Sequence, residues 1–344
     1  MSRNVKIGLF IALAMITTTF TFYFWQIFKT PNLLVDKEES FVLLIPENAT
    51  FTTVMDTLTK NDIVHDHISF RFLSKFLNYQ DDIKPGRYII KAKSTNKEVI
   101  DKLKDGKQDA VKLTFNNIRL KSDLVKRIGP RFAFGEKALQ EALDNPAVVH
   151  KYGLDTLTIV SMFLPNTYDI YWTTSTEKFL DRMHSEYQKF WNSERSAKAK
   201  QIGLTPVQVS VLASIVEEEQ ARKADERPKV AGLYINRLNA NMPLQADPTV
   251  KFALQDFGIK RVLLAHLTVD SPYNTYKNAG LPPGPIRIAD LKSIDAVLNY
   301  EKHDYIYMCA KADLSGYHAF ANNYNEHLQN ARQYQMALNK LNIK

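Results

Sequence analysis

One cysteine, Cys309, stands in a chain of 344 residues. That excludes an intrachain disulfide framework and any cysteine-rich zinc or iron–sulfur site. Gly-x-Ser-x-Gly, P-loop and dinucleotide fingerprints are missing as well, so neither serine-nucleophile nor nucleotide chemistry has support. No internal repeat or low-complexity tract occurs. Basic residues exceed acidic ones, 45 against 37, for a formal charge of +8. They are scattered among acids, however, and no dense basic block with interleaved aromatics marks a nucleic-acid partner. With 45% hydrophobic and 24% charged residues, the chain is neither disordered, nor a collagen, nor a multi-span transporter. It is too long for one compact core and predicts two or three folding units.

The chain does have one long apolar run. The 22 residues Ile7–Phe28 carry no charge. As a helix, at about 1.5 Å per residue, they span about 33 Å, enough for a hydrocarbon core of about 30 Å. Arg3 and Lys6 precede the run, and after Lys29 the next charges are Asp36, Lys37, Glu38 and Glu39, so the N-terminus is expected in the cytoplasm. Tyr23, Phe24 and Trp25 suit an interfacial belt at the outer end. A cleaved signal peptide would have a shorter apolar region and a small-x-small site after it. Here Ala12-Leu-Ala14 lies too early and the run ends in bulky aromatics, so an uncleaved anchor is expected. Cys309, in the apolar Tyr305–Ala310 stretch, is expected to be a core residue.

The expected fold class is α+β. Residues 1–6 form a cytoplasmic tail, 7–28 a transmembrane helix and 29–40 a polar stem. A small α+β module then covers 41–106. Phe41–Ile45 reads as a strand, Thr50–Lys60 and the segment holding Ile68, Phe72 and Phe76 as helices, and Lys84–Ile90 as a turn entering a strand. Ser94–Glu98 starts a third helix that stops at Gly106. Residues 107–153 form a connecting segment, with a strand at Val111–Phe115. Residues 154–344 form a mixed α+β catalytic domain, with an aromatic loop at Met162–Tyr168 and one amphipathic helix from about Thr176 to Lys200.

The most informative segment is Gly203–Glu219. Thr205 is a good N-cap, Pro206 suits the first helical position, and Gln208 completes a capping box. On a helical wheel of about 100° per residue, Val207, Val211, Leu212, Ile215 and Val216 form an apolar stripe. Glu217 falls on the solvent side, Glu218 at the rim and Glu219 in the middle of the stripe. A carboxyl group there is partly desolvated, which raises its pKa and fits it for general acid work. Against this, a fraying helix end would leave all three glutamates in water. A metal site is not expected, because no histidine follows them at helical spacing.

Asp225–Asn239 reads as a second helix with Pro228 in its first turn. Asn241–Thr249 reads as an extended loop with two prolines, and Tyr273–Tyr276 and Gly280–Ile286 as further loops. Amides, phenols and hydroxyls on such loops suit sugar recognition, and their prolines lower the entropy of holding them in place. Beside an apolar-face glutamate they suggest a carbohydrate cleft. His318, in Gly316–Phe320, is expected to be structural rather than catalytic.

The succession Leu212–Glu219, Tyr234-Ile-Asn-Arg-Leu238, Leu244-Gln-Ala-Asp-Pro-Thr-Val250, Tyr273-Asn-Thr-Tyr276, Gly280-Leu-Pro-Pro-Gly284 and His318-Ala-Phe320 closely resembles the endolytic murein transglycosylases, the MltG or YceG-like family. The resemblance covers nearly all of the chain beyond the apolar run and implies a membrane helix, a LysM-like small module and a catalytic domain. Phe163-Leu-Pro-Asn-Thr-Tyr168 matches the family's aromatic loop, with Asn166 where an Asp is common. The family's catalytic glutamate closes a Glu-x-Glu pair, which here implies Glu219, with Glu217 as the first acid. Between them the family has a non-acidic residue. This chain has Glu218, whose charge is expected to raise the Glu219 pKa further or to be solvated.

The implied substrate is the peptidoglycan glycan strand, cut at the MurNAc-β-1,4-GlcNAc bond. Glu219 would protonate the glycosidic oxygen and then accept the proton of the MurNAc C6 hydroxyl as that oxygen closes on C1, leaving a 1,6-anhydro-MurNAc end. An internal nucleophile explains why one carboxyl group suffices, where ordinary glycosidases use a pair. Glu217, Asn236, Gln245, Asp247, Tyr273, Asn274 and Tyr276 are the expected supporting or sugar-binding residues. Asp247 before Pro248 also fits a simple turn cap. No metal or organic cofactor is expected. The implied setting is the outer side of the cytoplasmic membrane, the implied partners are cell-wall synthases of the elongation or division machinery, and the implied role is to end glycan elongation. The competing readings are a hydrolytic muramidase, which needs a second carboxylate such as Asp247, and a membrane-tethered glycan-binding module without catalysis.

Overall fold

The computed structural model describes residues 2–35 and 40–340. The charged cluster of the expected stem, residues 36–39, thus lies outside the described residues. The chain divides into two compact units. One holds the residues up to Leu113 together with Arg131–Phe134 and Tyr168–Ser175, and the other holds Thr114–Pro130, Gly135–Thr167 and Thr176–Lys344.

The first unit begins with α1 (Arg3–Lys29), long and apolar enough to cross a membrane. Then come β1 (Ser40–Ile45), α2 (Phe51–Lys60), α3 (His67–Phe76), β2 (Gly86–Lys91) and α4 (Asn96–Lys104). β1 and β2 pair antiparallel, from Ser40 opposite Lys91 to Ile45 opposite Gly86. The pleat turns Leu43, Ile45, Tyr88 and Ile90 inward onto Val54, Met55, Leu58, Phe70, Leu73, Ile100 and Leu103 of the helices. Each such fully buried side chain contributes about 1.5–3 kcal/mol. Thr50 and Thr95 cap α2 and α4 with capping boxes. The stretch read as a polar stem puts Asn32 and Leu33 into this unit's interior, where the Asn32 side chain bonds Asn96 at 2.8 Å.

β3 (Val111–Phe115) and β4 (Asn166–Ile170) form a two-stranded sheet, and the division into units falls within both strands. The aromatic stretch expected as loop is loop at 163–165 only, between a short 3₁₀ turn, Ile159–Met162, and β4, which takes in Asn166 to Tyr168.

The second unit carries α5 (Lys121–Ile128), α6 (Gly135–Asp144), α7 (Pro146–Val149), α8 (Thr176–Phe190), α9 (Ser193–Gln201), α10 (Pro206–Glu219), α11 (Arg227–Asn239), α12 (Asp247–Leu254), α13 (Leu291–Leu298), the hairpin β5 (Tyr307–Ala310) and β6 (His318–Ala321), and α14 (Tyr324–Lys340). The single helix expected from Thr176 to Lys200 is two. Asn192 breaks it, because its side chain accepts the Arg195 amide and caps α9. α12 likewise replaces the second half of the expected 241–249 loop, with Pro248 in its first turn.

α10 is the hub. Its N-terminus has the expected capping box between Thr205 and Gln208. α9, α11, α12 and α13 all pack on it, and every residue from Val209 to Glu217 is buried. Gly232 lets α11 approach the chain at Glu301 and His303, where a Cβ would collide with the Glu301 carbonyl.

Candidate functional site

The end of α10 opens into a cavity of about 270 Å³, lined by Glu219 of α10, Tyr234 and Arg237 of α11, Gln245 and Asp247 before and at the start of α12, Tyr276, and the hairpin residues Met308, Cys309, Ala310 and His318. A larger cavity of about 540 Å³ lies at the opposite end of α10, between Gly203–Val207, Leu238 and Gly280–Pro283, and is lined by no titratable side chain. Chemistry decides between them: only the smaller one presents carboxyl groups, a phenol, an imidazole and a guanidinium together.

Glu219 is held by one specific contact. The Tyr234 hydroxyl donates to Glu219 Oε1 at 2.9 Å. Part of the side chain faces the cavity, while dense protein closes around the rest of it. Burial pushes the Glu219 carboxyl from an ordinary 4.5 up to about 7; the Tyr234 hydrogen bond pulls it back in part, and the charge of Asp247 pushes it further up. At neutral pH such a group populates both the acid and the base form.

The two preceding glutamates are not as the wheel has them. Glu217 does not face solvent. It is buried, its Oε1 2.9 Å from Arg287 and its Oε2 accepting the Asp290 amide at 2.7 Å. Burial still outweighs these contacts and holds its pKa above the usual range. Both oxygens are occupied by protein partners, and Glu217 is not among the residues that line the cavity. Glu218 is neither free nor fully solvated: Arg119 meets both its oxygens at 2.8 Å, and Arg287 meets Oε1 at 2.6 Å. Those two guanidiniums offset its charge, so it is not the source of the Glu219 shift. The wheel errs because it assumes one dry face, whereas α10 is enclosed nearly all round.

Of the expected supporting residues, Gln245, Asp247 and Tyr276 join Glu219 at the cavity. The Tyr276 hydroxyl donates to Asp247 Oδ1 at 2.6 Å, and burial with this carboxylate raises the phenol pKa. Asp247 therefore faces the cavity and does not cap the turn. Gln245 has a left-handed backbone (φ 51°), uncommon for a residue with a side chain, stabilised by its amide donating to the Thr275 carbonyl at 3.0 Å.

The other three sit outside the cavity lining. Asn236 donates to the carbonyls of His303 (2.7 Å) and Tyr305 (3.0 Å), fixing the approach to β5. Asn274 is fully buried, donates to Leu267 and Val269, and receives the Tyr276 amide. Tyr273 packs its ring 4.7 Å from Phe252. These three shape the loops that carry the lining residues. Thr275 and Thr249, whose hydroxyls meet at 2.8 Å, complete that clamp and are legible only from the fold.

Four further residues escape the sequence reading. Tyr234 and Arg237 lie at helical spacing among apolar residues and pass for core. Arg237 in fact donates to the carbonyls of Ile306 and Leu244, tying the hairpin to the loop before α12. Glu226 and Gln220 are buried and bonded to each other. Glu226 also receives the His318 amide and meets His318 Nδ1, each at 2.8 Å, so His318 is an oriented cavity residue. Cys309 is not a core residue: its strand is half-buried throughout, and Cys309 lines the cavity together with Met308 and Ala310. Among the described residues no cluster of His, Cys, Asp and Glu suits a metal ion.

A model of the YceG-like family matches residues 43–333. A Bacillus subtilis strain 168 protein named endolytic murein transglycosylase is 29% identical over 315 residues, covering 87% of this chain and 86% of its own length. A Streptococcus pneumoniae serotype 2 protein of the same name is also 29% identical, over 322 residues, and the match covers 84% of this chain and 57% of that longer protein. A crystal structure of a yceG-like protein from Listeria monocytogenes superposes with a TM-score of 0.55 at 25% identity, covering 85% of this chain and 99% of that one.

Proposed function

The chain belongs to the YceG-like family, and from that premise we propose that it is a membrane-anchored endolytic murein transglycosylase, a lytic enzyme that cuts the glycan strands of peptidoglycan. The observation that carries this reading is the Glu219 carboxyl group, partly buried in a polar cavity, oriented by Tyr234 and poised near neutrality.

The reaction needs a group that gives a proton and takes one back. Glu219 in its acid form donates to the glycosidic oxygen as the MurNAc–GlcNAc bond breaks. The carboxylate left behind accepts the proton of the MurNAc C6 hydroxyl, whose oxygen bonds to C1 and closes the 1,6-anhydro ring. A pKa near the working pH minimises the cost of both transfers. Tyr234 engages Oε1, leaving Oε2 to carry the proton. Gln245, Asp247, Tyr276 and His318 supply the polar wall for sugar hydroxyls, and Glu217 and Glu218 brace the end of α10 through Arg287.

α1 supports an anchor with the N-terminus in the cytoplasm and the catalytic unit outside. The strand–helix–helix–strand order of β1, α2, α3 and β2 supports the LysM-like reading of the small module. An enzyme tethered beside the sites of synthesis would cut nascent strands, end their elongation and work alongside cell-wall synthases. Asp247 in the same cavity favours one second reading, a muramidase in which Asp247 activates water.

Mass spectrometry of digested glycan separates the two. Anhydro ends support the lyase, and reducing ends assign hydrolysis instead. Glu219→Gln is expected to abolish cleavage and Glu217→Gln to leave it measurable. The reverse outcome would overturn the assignment of the acid.

A further inference from the structure

The outward face of α3 is apolar where a water-facing helix would be polar. Ile68, Phe72 and Phe76, four residues apart along one stripe, are 76%, 46% and 57% exposed, while Phe70 and Leu73 fill the core from the opposite face. The patch continues the apolar surface of α1. Phe72 and Phe76 stack on each other, Phe24 of α1 meets both edge-on at 6.4 and 6.2 Å, and Phe28 meets Phe76 at 5.9 Å.

The level of this contact follows from helix geometry. An uncharged run of about 33 Å against a hydrocarbon layer of about 30 Å puts Phe24 and Phe28 at its outer boundary. A helix that touches both rings from the side lies at that boundary too. Exposed Arg71 and Lys75 fall along the edge of the stripe. Their apolar stems can lie along the hydrocarbon while the charged ends reach headgroups. Tyr23 and Trp25, at the same level of α1, are of the interfacial type.

We propose that the outward face of α3 is a lipid-binding surface: Ile68, Phe72 and Phe76 enter the outer-leaflet interface beside α1, and Arg71 and Lys75 meet anionic headgroups. The occupant is the bilayer because the patch is continuous with the anchor and edged by cations. The proposal rests on the reading that α1 spans the membrane. It makes the small module a foot on the bilayer, held at a fixed level by two points of attachment instead of swinging on one.

The test uses the full-length chain carrying Cys309→Ser, with a nitroxide on a single cysteine placed in turn at Ile68, Phe72, Phe76, mid-anchor Leu13 and exposed Asp56. Each is reconstituted into vesicles of phosphatidylethanolamine and phosphatidylglycerol. Collision with oxygen is compared with collision with a water-soluble nickel chelate. Labels at Ile68, Phe72 and Phe76 are expected to favour oxygen over nickel several-fold more than the label at Asp56, as Leu13 does. If Leu13 is shielded but the three α3 labels behave like Asp56, the surface does not bind lipid, although the anchor stands; a protein partner as the occupant would give this result. If Leu13 is itself open to nickel, the spanning reading fails and the proposal with it.

Discussion

The Tyr234 hydroxyl reaches Glu219 Oε1 across 2.9 Å, from a helix that starts eight residues after α10 ends. The bond favours the charged carboxylate and so opposes the burial that raises the Glu219 pKa. A hydrogen bond to a charged group is worth about 1.5–3 kcal/mol, and about 1.36 kcal/mol corresponds to one pH unit. Because the acid form starts the reaction, activity falls as pH rises through the Glu219 pKa near 7. Tyr234→Phe is therefore expected to move that alkaline limb up by about one to two units, while the plateau rate drops by about 10–100-fold from lost orientation. A kcat profile from pH 5 to pH 9.5 checks both; an unmoved limb would mean that Tyr234 does not act on Glu219.

The same raised pKa sets a stability trend. Between the unfolded value near 4.5 and the folded value of about 7, the native state binds more protons than the unfolded chain. Stability from this group is thus greatest at low pH and declines as pH rises through that window. The decline amounts to about 2–3 kcal/mol after allowance for the partly open side chain. Glu219→Gln removes the trend. Its melting temperature should match wild type near pH 5 and exceed it near pH 8, which calorimetry at the two pH values would establish.

Arg287 holds two adjacent glutamates, Glu217 at 2.9 Å and Glu218 at 2.6 Å, and also donates to Asn117. Removing one partner of a buried pair leaves an uncompensated charge, at about 3–5 kcal/mol. Arg287→Met is expected to destabilise by that amount. Glu217→Gln, which removes a charge and keeps the shape, should cost well under half of it. Lysine has no planar fork to bridge two carboxylates, so Arg287→Lys should fall nearer to Met than to wild type. Urea unfolding of the three variants gives the order.

What the sequence discloses and what it hides follow from range. The capping box at Thr205 acts over three residues, and it sits where the local pattern puts it. Pro248 and Asn192 are local signals too, one opening α12 and one capping α9, yet two close prolines read as an extended loop at the first and amphipathic spacing runs on across the second. Glu217 is misplaced by the wheel because Arg287, its partner, enters from a distant loop and no local pattern announces it. Tyr234 carries a faint signal: a phenol at a core position needs a partner for its hydroxyl, where phenylalanine would not. The cavity wall contributed by Cys309 and His318 depends on a hairpin about a hundred residues beyond Glu219, visible only once the chain has folded back.

That hairpin is fixed to the core through Glu226. Its carboxylate receives the backbone amide of His318 at 2.8 Å, meets the imidazole Nδ1 at 2.8 Å and accepts from the side-chain amide of Gln220, the residue after Glu219. One buried side chain thus sets both the position and the ring orientation of a cavity residue. Glu226→Gln keeps an acceptor oxygen for the His318 amide, whereas Glu226→Ala leaves the His318 amide and ring without the carboxylate, and Gln220 with only the Gly316 carbonyl among its strong acceptors. Each orphaned buried group costs about 1–3 kcal/mol, so the alanine variant should lose several kcal/mol of stability. In what remains folded, kcat/KM should fall by about 10–100-fold, chiefly through KM, because the wall that meets the sugar is displaced while Glu219 keeps Tyr234. The alkaline limb should then stay where wild type has it. A limb that moved with Glu226→Ala would show the imidazole acting on the proton itself, and His318 would have to be counted among the groups that carry the reaction.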